Sequence, residues 1–361
     1  VSALLRALPV DDQGDTTRYA PTYYPGTGSV TEAQAVSLDV GAEASISFSL
    51  MPVVTARITG SVLGSTGLPL SNARVILTAA DSPGARPAAF GAGGRVLADG
   101  TFSIANVAPG SYRLIALSGA GRNAGPDAER GFAPLTVAGE DLTGVMVITS
   151  RGATVTGTVR SGWGTTAEPP TGALRVTAQP VPFDSTMRIR PARVNTDGTF
   201  ALADLFGPNM LRVNGLTSEW MVEAILVGGS NITDTPFDFR PNQAIENAEI
   251  VLTDRVTDVS GTVTERDGAP SADFTLVVFP EDDTKWTPLS RFVRSARPDQ
   301  QGLVKIVGLP PNDRYMAVAV DYLEEGGASD PAFLEGIKRH ATRFRLEAGA
   351  SATIDLTLVE R

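Results

Sequence analysis

Apolar and polar residues alternate in short runs along most of this chain, and each run is broken by glycine, proline or aspartate. Thr55-Ala-Arg-Ile-Thr-Gly-Ser-Val62 has the two-residue period of a half-buried strand. The pattern returns at Ala153-Thr-Val-Thr-Gly-Thr-Val159 and Val256-Thr-Asp-Val-Ser-Gly-Thr-Val263, with glycine at 60, 157 and 261. A second strand is predicted after each, at Ala73-Arg-Val-Ile-Leu77, Ala173-Leu-Arg-Val-Thr-Ala178 and Asp273-Phe-Thr-Leu-Val-Val-Phe279. Next comes Asp99-Gly-Thr-Phe-Ser-Ile104, almost repeated as Asp197-Gly-Thr-Phe-Ala-Leu202 and more loosely as Asp299-Gln-Gln-Gly302-Leu-Val-Lys-Ile306. Asp-Gly supplies the positive φ of a tight turn, so Phe102 and Phe200 are expected to point inward. Val107-Ala-Pro-Gly-Ser-Tyr-Arg-Leu114 leads into a further strand, with counterparts at 205–213 and 309–318.

A closing strand is predicted at Leu142-Thr-Gly-Val-Met-Val-Ile148, Ala248-Glu-Ile-Val-Leu252 and Ala352-Thr-Ile-Asp-Leu-Thr-Leu358. It is also expected early, at Ala44-Ser-Ile-Ser-Phe-Ser-Leu50. Internal repetition at this scale means stacked units. Their boundaries are read at 1–52, 53–151, 152–254 and 255–361, the first being the back half of a unit and the others complete.

Gly-x-Val, the Asp-Gly-Thr-Phe turn and Val-x-Pro-Gly-x-Tyr-Arg-Leu, in that order, resemble the carboxypeptidase regulatory-like (transthyretin-like) domain. The resemblance covers 53–361 as three copies and 1–52 as a partial one. It implies an all-β fold of tandem Ig-like or transthyretin-like sandwiches. The second copy has Gly207-Pro-Asn-Met210 in place of the Pro-Gly-x-Tyr turn, and the third lacks Asp-Gly-Thr-Phe. The resemblance speaks to fold, because this module is an accessory in most proteins that carry it. With Tyr19-Ala-Pro-Thr-Tyr-Tyr-Pro-Gly-Thr27, the chain looks like the multi-module extracellular bacterial proteins of that family, which places it outside the cell or at its surface.

Composition narrows the function. The chain has 361 residues and net charge −10, and an acidic chain without a basic stripe argues against nucleic acid as a partner. No run of 18 apolar residues exists, so no membrane-spanning helix is expected. Cysteine is absent, which removes disulfides, thiolate metal sites and a cysteine nucleophile. His340 is the single histidine, so a zinc-peptidase ligand set is not available and a Ser-His-Asp relay would have to use that residue. Asp11, Asp12 and Asp15, and Glu281, Asp282 and Asp283, lack calcium-loop spacing. Gly91-Ala-Gly-Gly94 and Gly119-Ala-Gly121 do not sit between a strand and a helix, as a phosphate loop requires. No catalytic residue, cofactor or metal is implied.

Two readings remain. The first is a structural protein, a surface rod or filament subunit that associates with itself head to tail or with other surface proteins. If Val1 is the mature start, half a sandwich exposes Val1, Ala3, Leu4, Leu5, Ile46, Phe48 and Leu50, and a neighbour could complete it by strand donation. The second is an adhesin-like array that binds carbohydrate or protein. Tyr19, Tyr23, Tyr24, Trp163, Trp220 and Trp286 are candidate stacking residues, of which Tyr23, Tyr24 and Trp286 are singled out, with core packing as the alternative for aromatic side chains. Asn231-Ile-Thr233 is a glycosylation-type sequon.

Overall fold

The computed structural model describes residues 2–3, 17–19, 22–28, 32–38, 41–80, 93–118, 128–184, 187 and 189–360. The chain is all-β, built of two-layer units with one seven-residue α-helix, Pro331–Ile337, among the described residues. No described helix is long and apolar enough to cross a membrane.

One pairing scheme occurs three times. An opening strand (Ala56–Leu63, Ala153–Ser161, Asp258–Thr264) pairs antiparallel with a middle strand (Thr101–Val107, Thr199–Leu205, Val304–Val307). On its other side it pairs parallel with a closing strand (Leu142–Ile148, Ala244–Thr253, Ser351–Val359). The facing sheet is built on a second strand (Arg74–Ala79, Arg175–Pro180, Thr275–Pro280), antiparallel to a fourth (Gly110–Leu117, Gly207–Asn214, Asp313–Val320). Alternate residues of the two layers meet in three apolar cores, drawn from residues 56–147, 153–252 and 259–358.

The recurrent glycine has a steric cause. Gly60, Gly157 and Gly261 lie in the opening strand, opposite Phe102, Phe200 and Val304 of the middle strand. A Cβ there would stand 1.9, 2.0 and 2.2 Å from the carbonyl oxygens of Val145, Ala248 and Ile354 on the closing strand. The backbones of the first and last strands therefore approach too closely for any side chain.

The turns repeat as well. Asp99 and Asp197 each accept the backbone N–H (3.0 Å) and hydroxyl (2.7 Å) of the threonine two residues on, across Gly100 and Gly198, both at φ +82°. The third, looser copy keeps the turn with its acid in a different place. Asp299 N–H bonds Leu303 O as Leu97 bonds Thr101 and Asn195 bonds Thr199. Gly302, at φ +78°, is thus the counterpart of Gly100, and Val304 replaces the buried phenylalanine.

After the middle strand, a side chain in each unit captures backbone carbonyl oxygen. The Tyr112 hydroxyl donates to Ala108 O (2.9 Å) and the Tyr315 hydroxyl to Pro310 O (2.7 Å). In the second unit, where that tyrosine is missing, the buried Asn209 side chain donates to Phe206 O (2.9 Å). Burial raises the affinity of both tyrosine hydroxyls for their protons, and the nearby Asp313 carboxylate adds to this at Tyr315.

Two expectations need correction. The segment 44–50 is not a strand, despite its alternation. The described part of residues 1–54 instead makes two short pairings, Ser2–Ala3 with Thr22–Tyr23 and Thr17–Tyr19 with Pro52–Val54. The third unit also carries more than a sandwich. The helix packs on the outer face of Thr275–Pro280, so that all six residues of this strand are buried. Asp330 caps the helix by accepting Ala332 N–H (2.9 Å), with Pro331 in its first turn.

Gly157→Ala is expected to destabilise the second unit by about 1–3 kcal/mol through overpacking, read as a lower denaturant midpoint. Gly172→Ala, where nothing lies within 4 Å of the added methyl, serves as the control. Equal shifts in both variants would remove the carbonyl-approach explanation.

Candidate functional site

Short linkers between units are expected from Arg151-Gly-Ala153 and Asp254-Arg-Val256, but the side-chain contacts that fasten consecutive units are not legible in the sequence. At the first joint the chain runs almost unbroken from Leu142–Ile148 through Ser150–Arg151 into Ala153–Ser161, with only Thr149 and Gly152 between strands. Thr149 N–H donates to Leu63 O (2.8 Å), and Ser150–Arg151 pairs with Glu129 and Arg130 of the first unit. Gly152 is buried, and a Cβ there would lie 2.7 Å from the backbone of Asp204.

Asp204 itself is the lock. Its φ of +66° is a left-handed conformation that aspartate tolerates. Its carboxylate takes both arms of Arg130, Nε to Oδ1 at 3.0 Å and the second arm to Oδ2. A forked guanidinium–carboxylate pair fixes orientation as well as distance. Only 11% of the Arg130 side chain is exposed, so solvent screens the pair weakly. Phe132 and Phe206 meet edge to face across the same joint at 5.7 Å, and Arg113 pairs with Asp184 nearby.

Glu129 holds the first unit's end of this joint. Burial favours its neutral form, but this is outweighed by the hydroxyls of Ser65 and Thr149, the Ser65 N–H and the charge of Arg151. Its carboxyl is therefore held below the ordinary value of 4.5.

The second joint uses a different set. Arg291 of the third unit grips Asp234 of the second through Nε (2.7 Å) and a second nitrogen (3.0 Å), and donates to Val222 O (2.6 Å). Arg212 reaches the other way, to Leu289 O at 2.8 Å.

The residues singled out from sequence are scattered. Val1, Leu4 and Leu5 fall outside the described residues, as do Asp11, Asp12, Asp15 and the 119–121 glycines. Ala3 is half-buried and pairs with Thr22, while Ile46, Phe48 and Leu50 are half-buried in a segment that is not a strand. Phe48 packs edge to face on Tyr24 at 6.0 Å, which joins residues expected in two separate sites. Tyr23 is half-buried, and its backbone closes a turn with Thr27 (2.7 Å).

Trp286 is a correction. It is 6% exposed, stands edge-on to Phe279, and donates its indole N–H to Pro280 O (2.9 Å), so no ring face is open for stacking. The exposed tryptophan is Trp163, at 92%, on a turn between Gly162 and Gly164. Asn231 is exposed, and its side chain accepts the Thr233 N–H (3.0 Å) and hydroxyl (2.5 Å), so the sequon also serves as a local turn.

Asp282 caps a short 3-10 turn through Thr284, and Glu281 pairs with Arg343 at 3.1 Å. Among the described residues no cluster of His, Asp and Glu is placed to hold a metal ion. His340 is exposed and accepts a hydrogen bond from Arg339.

No family model matches the chain, and no curated protein matches it. Solved structures do. The Bacillus anthracis TIE protein aligns at 11% identity and a TM-score of 0.21 over 85% of this chain, which spans about half (51%) of that protein. The minor pilin GBS52 of Streptococcus agalactiae aligns at 11% identity and 0.29, over 54% of this chain and 95% of its own. The major pilin subunit BcpA of Bacillus cereus aligns at 11% and 0.19, over 85% and 99%. None of these reaches a TM-score of 0.5, so the functional reading rests on the chain's own geometry.

A double-mutant cycle on Arg130→Ala and Asp204→Ala is expected to give a coupling energy of about 1–3 kcal/mol, against near zero for a fully exposed pair. Glu129 adds a pH dependence. Because its folded pKa is depressed, its contribution is present above the unfolded value of about 4.5 and is lost as pH falls through the folded value. The denaturant midpoint of the first unit should drop between pH 5 and pH 3 (about the window where carboxylates protonate), and Glu129→Gln should flatten that drop.

Proposed function

We propose that this chain is a non-catalytic structural protein of the bacterial cell exterior, a stiff rod of sandwich units that serves as a stalk or as the subunit of a surface filament. The observation that carries this reading is the pair of fastened joints. A flexible tether between binding domains needs slack polar linkers. Here the first linker is Thr149 and the Ser150–Gly152 segment, held by strand pairing, a buried glycine and a forked ion pair. Self-association head to tail fits a unit whose chain enters at one end and leaves at the other. Any donated strand would have to accommodate contacts made within the chain, Phe48 on Tyr24 and Met51 N–H to the Thr22 hydroxyl (3.0 Å).

An adhesin-like array that binds glycan or protein is the second reading. Trp163, isolated at 92% exposure on a glycine-flanked turn, favours it.

Small-angle scattering and electron microscopy of the purified chain test the first reading. Wild type is expected to give a narrow distribution of end-to-end distances, and Asp204→Ala with Asp234→Ala a broad one. A broad distribution already in wild type would sink the rod. Glycan binding that disappears in Trp163→Ala would instead move the second reading to first place.

A further inference from the structure

The second joint forms an open cleft of about 550 Å3, within the size range of small-molecule sites. Leu216 and Trp220 contribute apolar walls, and Thr177, Asn214 and Ser218 contribute hydroxyl and amide groups. Three arginines line it, Arg212 from the second unit and Arg291 and Arg294 from the third, and no aspartate or glutamate does so among the described residues. This inverts the character of a chain whose net charge is −10.

The three guanidiniums are not equally satisfied. Arg291 is neutralised by Asp234. Arg212 donates only to neutral carbonyls, those of Leu211 (2.9 Å), Thr233 (3.0 Å) and Leu289 (2.8 Å). The Arg294 side chain makes no hydrogen bond or ion pair with a described residue, and the residue is exposed to solvent at the cavity. Two positive charges thus face one cavity without a carboxylate of their own. Burial lowers the proton affinity of Arg212; Asp234 opposes this, and repulsion from Arg291 and Arg294 adds to it. Arginine does not escape such crowding by losing its proton. An oxyanion would relieve it, and a guanidinium fork is suited to binding one.

We propose that this cavity binds a hydroxylated small anion of the size of an acidic sugar. Arg212 and Arg294 hold its carboxylate or phosphate, and Thr177, Asn214 and Ser218 receive its hydroxyls. Because the arginines come from two units, the ligand also ties the second joint together. The site does not depend on whether the chain forms filaments.

Isothermal titration calorimetry on the full chain tests this with four probes: glucuronate, glucose 6-phosphate, inorganic phosphate and neutral glucose, with sodium chloride at matched ionic strength. Glucuronate or glucose 6-phosphate is expected to bind saturably and to raise the melting temperature. Arg294→Gln should weaken that binding at least about tenfold, the worth of one charged hydrogen bond. The Arg294 side chain makes no hydrogen bond or ion pair with a described residue, and the backbone pairing of Arg294 with Val278 is kept in the variant, so Arg294→Gln should melt no lower than wild type without ligand. Arg266→Gln, on an exposed residue far along the chain, should bind as wild type. The preferred sugar acid then names the oxyanion. No saturable binding of any anion, equal affinity in Arg294→Gln, or an effect reproduced by sodium chloride would overturn the site. Inorganic phosphate binding as tightly as glucose 6-phosphate would overturn the sugar part.

Discussion

In each unit the first and last strands lie side by side and run the same way, and this pairing decides where the chain can go next. Leu142 sits opposite Ile58 and Ile148 opposite Leu63, so the chain leaves the first unit at the end the opening strand points toward. An eight-residue strand advances the chain by about 26 Å at about 3.3 Å per residue. The next unit therefore begins a full strand length further on. The glycine at 60, 157 and 261 makes this possible, because the closing carbonyl occupies the space a side chain would fill. Stacking of units is thus a result of how each one closes, and the joints only fix the angle.

The joints differ because one backbone position is filled in different ways. Asn106, Asp204 and Gly308 occupy the same position at the end of the middle strand with positive φ, at +61°, +66° and +80°. At the first joint the position carries a carboxylate, which bonds Arg130 and closes the contact. At the second it is a glycine with open space around it, and it borders the arginine-lined cavity. Arg291 and Asp234 then do the fastening from one side. One joint is a closed lock, and the other is a lock with a chamber.

Much of the fold was legible because it rests on local rules. Two-residue alternation, Asp-Gly turns and a recurrent glycine act over a few residues, and they marked the opening, middle and closing strands. Failures came where local rules are silent. The alternation at 44–50 shows that one face can be covered, not that a sheet is there to cover it. In the third turn the sequence showed only a loose copy, because the positive-φ glycine, not the adjacent acid, is what the geometry requires. The apolar run Leu276-Val-Val-Phe279 did carry a signal that the strand is covered on both faces, and it points to Trp286 as part of that cover. Arg130 with Asp204, and Arg291 with Asp234, are partners only once neighbouring units have been stacked, and nothing in their spacing announces them.

The parallel edge has a mechanical consequence. If a filament is pulled at its two ends, force enters each unit along the opening strand and leaves along the closing strand. These strands are joined from Asp258 opposite Ser351 to Thr264 opposite Thr357 in the third unit, and tension slides one past the other. Hydrogen bonds loaded in shear share the force and must give way together, whereas a ladder peeled from one end yields bond by bond. A chain folded in this way resists stretching through its backbone pairing, without the disulfides that a protein with no cysteine cannot form.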